Sequence, residues 1–201
     1  MIGIMGGTFN PIHYGHLLIC EHIREEFSLE KVLFVPAKIP PHKGSDGLIG
    51  TEHRMAMVEL AVSSNPWFEL SDVEMKMEGP SYTVETLKIL TEEYGKDNRL
   101  CLIIGADSLV QFSTWKRYEE ILRMADLIVA RRPDTNNRLL DMTIDRLREE
   151  HGARIHVSST DIYDFSSTRI RNRVKNGLSV KYMVPETVER YILEHGLYTG
   201  E

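Results

Sequence analysis

A parallel α/β sheet with helices on both faces is the architecture that this 201-residue sequence predicts. Three observations carry it. Six short apolar, β-branched runs recur along the chain, helical patterns of crossover length separate them, and a glycine-rich turn closes the first run. The strand candidates are residues 2–5, 32–35, 68–73, 100–104, 127–130 and 155–157, each a few residues long and rich in Ile, Val, Leu or Phe. Between them, residues 16–26, 52–63, 83–94, 118–124 and 138–150 carry mixed apolar and charged spacing suited to helices. After the last strand, residues 167–174 and 186–195 read as two closing helices, the second entered at Pro185 and ended by Gly196. The expected result is one Rossmann-like domain over residues 1–201, with a helical C-terminal part from about residue 165.

Composition narrows the function classes. A formal net charge of −6 and a pI near 5.8 disfavour a general binder of nucleic acid or anionic membrane, so a small-molecule partner is expected. Cys20 and Cys101 form neither a metal motif nor a disulfide framework, which suits a reducing cytoplasm. The first residues lack a basic stretch followed by a signal-like apolar run, and the longest apolar runs are of strand length, so a cytoplasmic protein outside the membrane is expected. Whether it forms a homo-oligomer is left open.

The turn after the first strand, Gly6-Gly7-Thr8-Phe9-Asn10-Pro11-Ile12-His13-Tyr14-Gly15-His16, is the first candidate site. A strand-to-helix turn offers backbone N–H groups and the positive end of a helix dipole, and glycines let a phosphate approach without a Cβ in the way. It is neither a P-loop nor a dinucleotide fingerprint. His13 and His16, three residues apart near a helix start, are open to phosphate contact, to metal binding or to satisfying local backbone groups. Zinc is disfavoured because no H-E-x-x-H or paired-cysteine motif supplies further ligands.

Other polar segments follow later strands, where ligands of an open α/β sheet bind. The proline-stiffened segment 36–44 carries Lys38, His42 and Lys43; Lys43 reads as a phosphate clamp or as an ordinary solvated lysine. Gly105 permits close approach, and Asp107 is either an acceptor for ribose hydroxyls or an N-cap. Phe112 and Trp115 offer faces for stacking or, more commonly, core packing. Ser166, Ser167, Thr168, Arg169 and Arg171 gather hydroxyls and guanidinium groups at a helix start as a second phosphate cradle, although capping alone needs one hydroxyl. The basic run 169–175 is a weak argument for RNA, given the overall acidity. Residues 79–86 read as a cap for the helix that follows, through Ser81 or Thr83.

Taken together, the H-x-G-H block from His13 to His16 and the distal Phe165-Ser166-Ser167-Thr168-Arg169-Ile170-Arg171 resemble the signature pair of a nucleotidyltransferase superfamily. The Gly-Gly-Thr-Phe-x-Pro-Ile-His stretch, the Pro-Pro-His-Lys loop, the Ser81–Thr86 segment and Thr114-Trp115 are similar to the bacterial nicotinate-nucleotide adenylyltransferases within it. Asn10 stands where many relatives have aspartate, Phe165 where isoleucine is usual and Glu85 where aspartate is common. The resemblance implies transfer of AMP from ATP to nicotinate mononucleotide, giving deamido-NAD and pyrophosphate, with Mg²⁺ carried on the ATP phosphates and no dedicated protein metal site. It implies ATP contacts at Gly6, Gly7, Thr8, Phe9, His13, His16, Gly105, Asp107, Ser166, Ser167, Thr168 and Arg169. It further implies acceptor contacts at Lys43, Thr83, Thr86, Trp115 and Arg132, and catalytic roles for His16, His13, Lys43 and Arg169. A sibling enzyme acting on nicotinamide mononucleotide or phosphopantetheine, and a nucleotide sensor without turnover, are the rival readings.

Overall fold

The computed structural model describes residues 1–40, 47–95, 97–131, 137–159 and 165–200. Six parallel strands form one sheet: β1 (Ile2–Gly7), β2 (Lys31–Pro36), β3 (Phe68–Leu70), β4 (Leu100–Gly105), β5 (Ala125–Ala130) and β6 (Ile155–Ser158), in the order β3-β2-β1-β4-β5-β6. Strand order therefore reverses between β1 and β4, which leaves a crevice at their carboxyl ends. The register pairs Ile4 with Leu33 on one side and with Leu102 on the other.

Burial on both faces explains why the strands read as unbroken apolar runs. Successive residues point to opposite faces, so Ile2, Ile4, Leu33, Val35, Leu100, Leu102, Leu127 and Val129 join one cluster, while Val32, Phe34, Cys101, Ile103, Ile128 and Ala130 join the other. The first face is covered by α3 (Thr83–Tyr94), α4 (Ala106–Val110), α5 (Tyr118–Met124) and α6 (Asn137–His151), through residues such as Leu87, Leu90, Leu109, Ile121 and Leu147. The second is covered by α1 (Tyr14–Glu26), α2 (Thr51–Val62), α7 (Ser167–Lys175) and α8 (Glu186–Glu194), through Ile23, Met57, Val58, Ile170 and Ile192. The C-terminal helices are thus half of the second layer. Each fully buried aliphatic side chain contributes about 1.5–3 kcal/mol. Among the described residues, no helix is long and apolar enough to cross a membrane.

Two departures from the sequence expectation have local causes. The third strand stops at Leu70, and Val73–Lys76 is a 3-10 turn: the Ser71 N–H makes a last bond to the Phe34 carbonyl, and Asp72 then accepts from Met75 N–H at 2.9 Å and pairs with Lys76. The short helix α4 and the 3-10 turn Phe112–Thr114 escape periodicity because neither spans two full turns.

At the amino ends of the strands, the fully buried carboxylate of Asp126 meets the guanidinium groups of Arg154 and Arg99 and, at 3.1 Å, the His156 ring. Burial opposes the charge, but these partners outweigh it and hold the carboxyl below its ordinary value.

Candidate active site

A cleft of about 370 Å³ opens at the carboxyl ends of β1, β2 and β4. Gly6, Gly7, Thr8, Gly105, Thr83, Thr86 and Trp115, each singled out in the sequence, line this one space. Two of its glycines are explained by no neighbour: a Cβ at Gly6 or Gly105 would meet nothing within 4 Å, and neither residue needs a positive φ. What a side chain there would fill is the cleft itself, where a ligand must approach the backbone. Gly7 differs, since a Cβ would strike the Phe9 ring at 2.9 Å.

Phe9 takes a left-handed conformation, φ 47°, and buries its ring against Phe34, edge-on to His16 at 5.1 Å between centroids. Its side chain belongs to the core, which corrects the expectation of a ligand contact for everything but its backbone. Asn10 is buried and uses its amide at both ends: Nδ2 donates to the Gly47 carbonyl at 2.7 Å, and Oδ1 accepts from the Tyr198 hydroxyl at 2.9 Å. An aspartate could accept the second bond but could not donate the first.

His13 and His16 lie one above the other at the start of α1, their rings stacked at 3.7 Å. The His13 backbone N–H donates to His16 Nδ1 at 3.3 Å, so a neutral His16 carries its proton on Nε2. Burial pulls the His13 pKa down to about 4, keeping that ring neutral at physiological pH, and its Nδ1 is buried with no hydrogen-bond partner among the described residues. The glycine of H-x-G-H is a packing requirement. A Cβ on Gly15 would come within 2.9 Å of Phe165 Cβ and 3.1 Å of His13 Nδ1.

The distal motif meets the first through two straps. Ser167 Oγ donates to the Pro11 carbonyl at 2.9 Å, and Arg171 Nη1 donates to the Asn10 carbonyl at 2.8 Å. The hydroxyl hydrogen of Ser167 is therefore committed to the protein, leaving its oxygen as an acceptor only, so its expected phosphate donation is not made in this arrangement. Thr168 and Arg169 are exposed at the start of α7, and Ser166 is its N-cap residue without a side-chain capping bond. Asp107 is in the first turn of α4, whose N-cap is Gly105, so the capping alternative for Asp107 does not hold.

Three of the five residues expected on the acceptor side, Thr83, Thr86 and Trp115, line the same cleft. Thr86 is buried and donates to Glu74 Oε1 at 2.7 Å. Glu74 is itself buried; desolvation raises its pKa against the opposing bonds from Ser81, Thr86 and the Lys38 backbone, and its Oε2 has no partner among the described residues. Ser81 does not cap α3, as the sequence suggested; Tyr82 holds that position, and Ser81 Oγ accepts from the Lys38 and Ile39 N–H groups at 2.9 and 3.3 Å. Phe112 is fully buried, whereas Trp115, 5.0 Å from it, is half-buried and faces the cleft. Lys43 and Arg132 lie outside the described residues.

Arg54, Glu74 and Lys116 carry no signature in the sequence. Arg54 is wholly buried on α2 and donates to the carbonyls of Thr8 at 2.9 Å, Ala37 at 2.6 Å and Lys38 at 3.2 Å, and to Thr51 Oγ1. It ties the phosphate turn to the segment after β2. Burial lowers its pKa, yet a guanidinium stays protonated at neutral pH. Only the apolar spacing of the helix could have pointed to an inward position there.

The reversal in strand order, the turn with two stacked histidines and the distal hydroxyl-arginine strap define a nucleotide-handling enzyme fold of the cytidylyltransferase-like class, whose family profile matches residues 4–173. Among curated proteins, the chain is 43% identical over 197 residues to a protein of Thermoanaerobacter sp., covering 98% of this chain and 93% of that protein. It is 46% identical to one of Moorella thermoacetica, covering 98% and 91%. Each of these is named a probable nicotinate-nucleotide adenylyltransferase. The chain belongs to the nicotinate-nucleotide adenylyltransferase family. Its fold is also similar to the Plasmodium falciparum nicotinic acid mononucleotide adenylyltransferase solved with NaAD, with a TM-score of 0.78 at 18% identity, covering 100% of this chain and 98% of that one.

Proposed function

We propose that this protein transfers AMP from ATP to nicotinate mononucleotide, releasing pyrophosphate and forming deamido-NAD. The observation that carries the reading is the meeting of His13, His16 and the distal motif beside a cleft that Trp115 and Thr86 line. The acceptor's phosphate is ionised at neutral pH, so no side chain has to be activated as a nucleophile. Its oxygen attacks the α-phosphorus of ATP in line, the bond to the bridging oxygen breaks, and pyrophosphate leaves.

In this proposal His16 is a transition-state donor at the α-phosphate, through the Nε2 proton that its Nδ1 bond selects. His13 and Arg169 steady the triphosphate with Ser166, Thr168 and the turn of Gly6, Gly7 and Thr8, while Gly105 and Asp107 receive the adenosine. Lys43 and Arg132 join on the strength of the resemblance. Thr83 and Trp115 bind the acceptor, Trp115 by stacking on its ring.

Among the described residues no three His, Cys, Asp or Glu side chains gather as a metal site. The donor set is imidazole, hydroxyl, amide and guanidinium, which suits Mg²⁺ held by the triphosphate itself. There the ion would offset negative charge on the leaving phosphates. Residence in the cytoplasm is part of the same proposal, supported by two buried, unpaired cysteines.

Pyrophosphate release from ATP and Mg²⁺ with either nicotinate or nicotinamide mononucleotide tests the reaction and the acceptor together. Release driven by nicotinate mononucleotide is expected. ATP binding with no release from either acceptor would overturn the enzyme reading in favour of a sensor.

A further inference from the structure

The end of the chain closes on its first turn. Tyr198 donates its hydroxyl to Asn10 Oδ1 at 2.9 Å, a contact across 188 positions that no motif announces. The orientation of the Asn10 amide is set by two backbone groups. The Gly47 carbonyl can only accept, so it faces Nδ2 at 2.7 Å; the Ile49 N–H can only donate, so it faces Oδ1 at 3.5 Å. Tyr198 meets the oxygen and is therefore the donor. Desolvation raises its pKa against the pull of Arg171 and Arg54, which keeps that hydrogen in place at neutral pH.

Asn10 is gripped through its backbone as well. Arg171 of the distal motif donates Nη1 to the Asn10 carbonyl at 2.8 Å and Nη2 to Thr168 Oγ1 at 3.4 Å. One residue of the phosphate turn thus joins the segment before α2, the second phosphate motif and the C-terminal residues. Both ends of the Tyr198 contact carry backbone strain: Phe9, beside Asn10, has φ 47°, and Tyr198 has φ 65°. Bulky residues in left-handed conformations cost free energy and persist where surrounding contacts over-determine them. Fastening the end of the chain does not need the hydroxyl, because Leu197 is buried in the second core cluster and its N–H bonds the Ile192 carbonyl at 3.0 Å. What the hydroxyl adds is a fixed Asn10, next to a turn whose Gly6, Gly7 and Thr8 line the cleft.

We propose that Tyr198 is a positioning residue for ATP: by donating to Asn10 it holds the phosphate turn in its binding conformation before the nucleotide arrives. It touches no substrate. A turn ordered in advance costs less to order on binding, so the hydroxyl is felt as affinity for the nucleotide; once ATP is bound, the ligand itself fixes the turn and the chemical step proceeds as before. This rests on the use of ATP assigned above and is independent of the acceptor.

Calorimetric titration with a non-hydrolysable ATP analogue and Mg²⁺, and steady-state pyrophosphate release, should be measured for the wild type, Tyr198→Phe, Asn10→Ala and the double variant, with the melting temperature of each. Tyr198→Phe, which removes one oxygen, should bind the analogue roughly five- to tenfold more weakly and raise KM for ATP to match, the size of one hydrogen bond, while kcat stays within about twofold. The double variant should bind the analogue no more weakly than Asn10→Ala, because both changes act through one contact. Analogue affinity in Tyr198→Phe within about twofold of wild type, whatever its melting temperature, overturns this role and leaves the assigned reaction standing. So does a kcat that falls as far as the affinity, or losses that add in the double variant. A wild type that binds no analogue overturns the assigned use of ATP and this role with it.

Discussion

The two ends of the sheet treat buried polar groups in opposite ways. At the amino ends, Asp126 is surrounded by the guanidinium groups of Arg154 and Arg99 and by the His156 ring, so the buried charge is answered within the protein. At the carboxyl ends, Arg54 is satisfied by carbonyls and one hydroxyl, while His13 Nδ1 and Glu74 Oε2 have no hydrogen-bond partner among the described residues. Buried polar atoms cost free energy when left unpaired, so a fold selected only for stability would have closed both ends alike. The amino end serves stability; the carboxyl end keeps capacity for a highly charged ligand.

The largest break in that comparison should come from His16→Ala. Loss of a donor aimed at developing charge is expected to reduce kcat about 10²–10³-fold. The fold should survive, because the contacts of this side chain, which include the 3.3 Å bond from the His13 N–H, the stack on the His13 ring and the edge contact with Phe9, are local to the turn and the start of α1. Turnover within tenfold of wild type would remove His16 from the chemical step.

His13 sharpens the comparison through pH. Its folded pKa, about 4, lies below the ordinary 6.5, so the unfolded chain binds more protons between those values. Stability therefore rises with pH across that window, by roughly 3 kcal/mol at the limit, and is lost as pH falls through it. Replacing His13 by Gln removes the titration. Denaturant melts at pH 4.5 and 7 should show the wild type losing much more stability on acidification than His13→Gln; parallel losses would mean that the ring is not held neutral by burial.

How much of this was legible in the sequence depended on whether the signal was local. Six strands and seven of the helices follow from periodicity and turn chemistry, and α3 and α5 have the bounds that spacing suggests. Glycines that make room for a ligand, such as Gly6 and Gly105, were legible because an anion-binding turn needs them in a fixed order. Residues whose task depends on contacts far apart in the chain were not. Arg54 reaches back 46 positions to Thr8, and Glu74 reaches forward 12 to Thr86; neither spacing leaves a pattern. Phe9 looked like part of a phosphate turn, yet its ring turns into the core, since side-chain direction in a turn follows from a backbone angle that composition does not encode.

The smallest effect tests the other end of the sheet. Asp126→Asn keeps shape and removes charge, so its three partners lose a charged acceptor while remaining partly in water, which limits the penalty. Hydrogen bonds to charged groups are worth about 1.5–3 kcal/mol, and the stability loss at pH 7 should fall there. Because the folded pKa lies below the ordinary 3.8, this contribution is present above that value and vanishes as pH falls through the folded pKa. The gap between wild type and Asp126→Asn in denaturant melts should therefore close in acid, while kcat and KM at pH 7 stay at wild-type values. A variant that melts normally but turns over slowly would join the two ends of the sheet energetically, and the division between a structural end and a ligand end would fail.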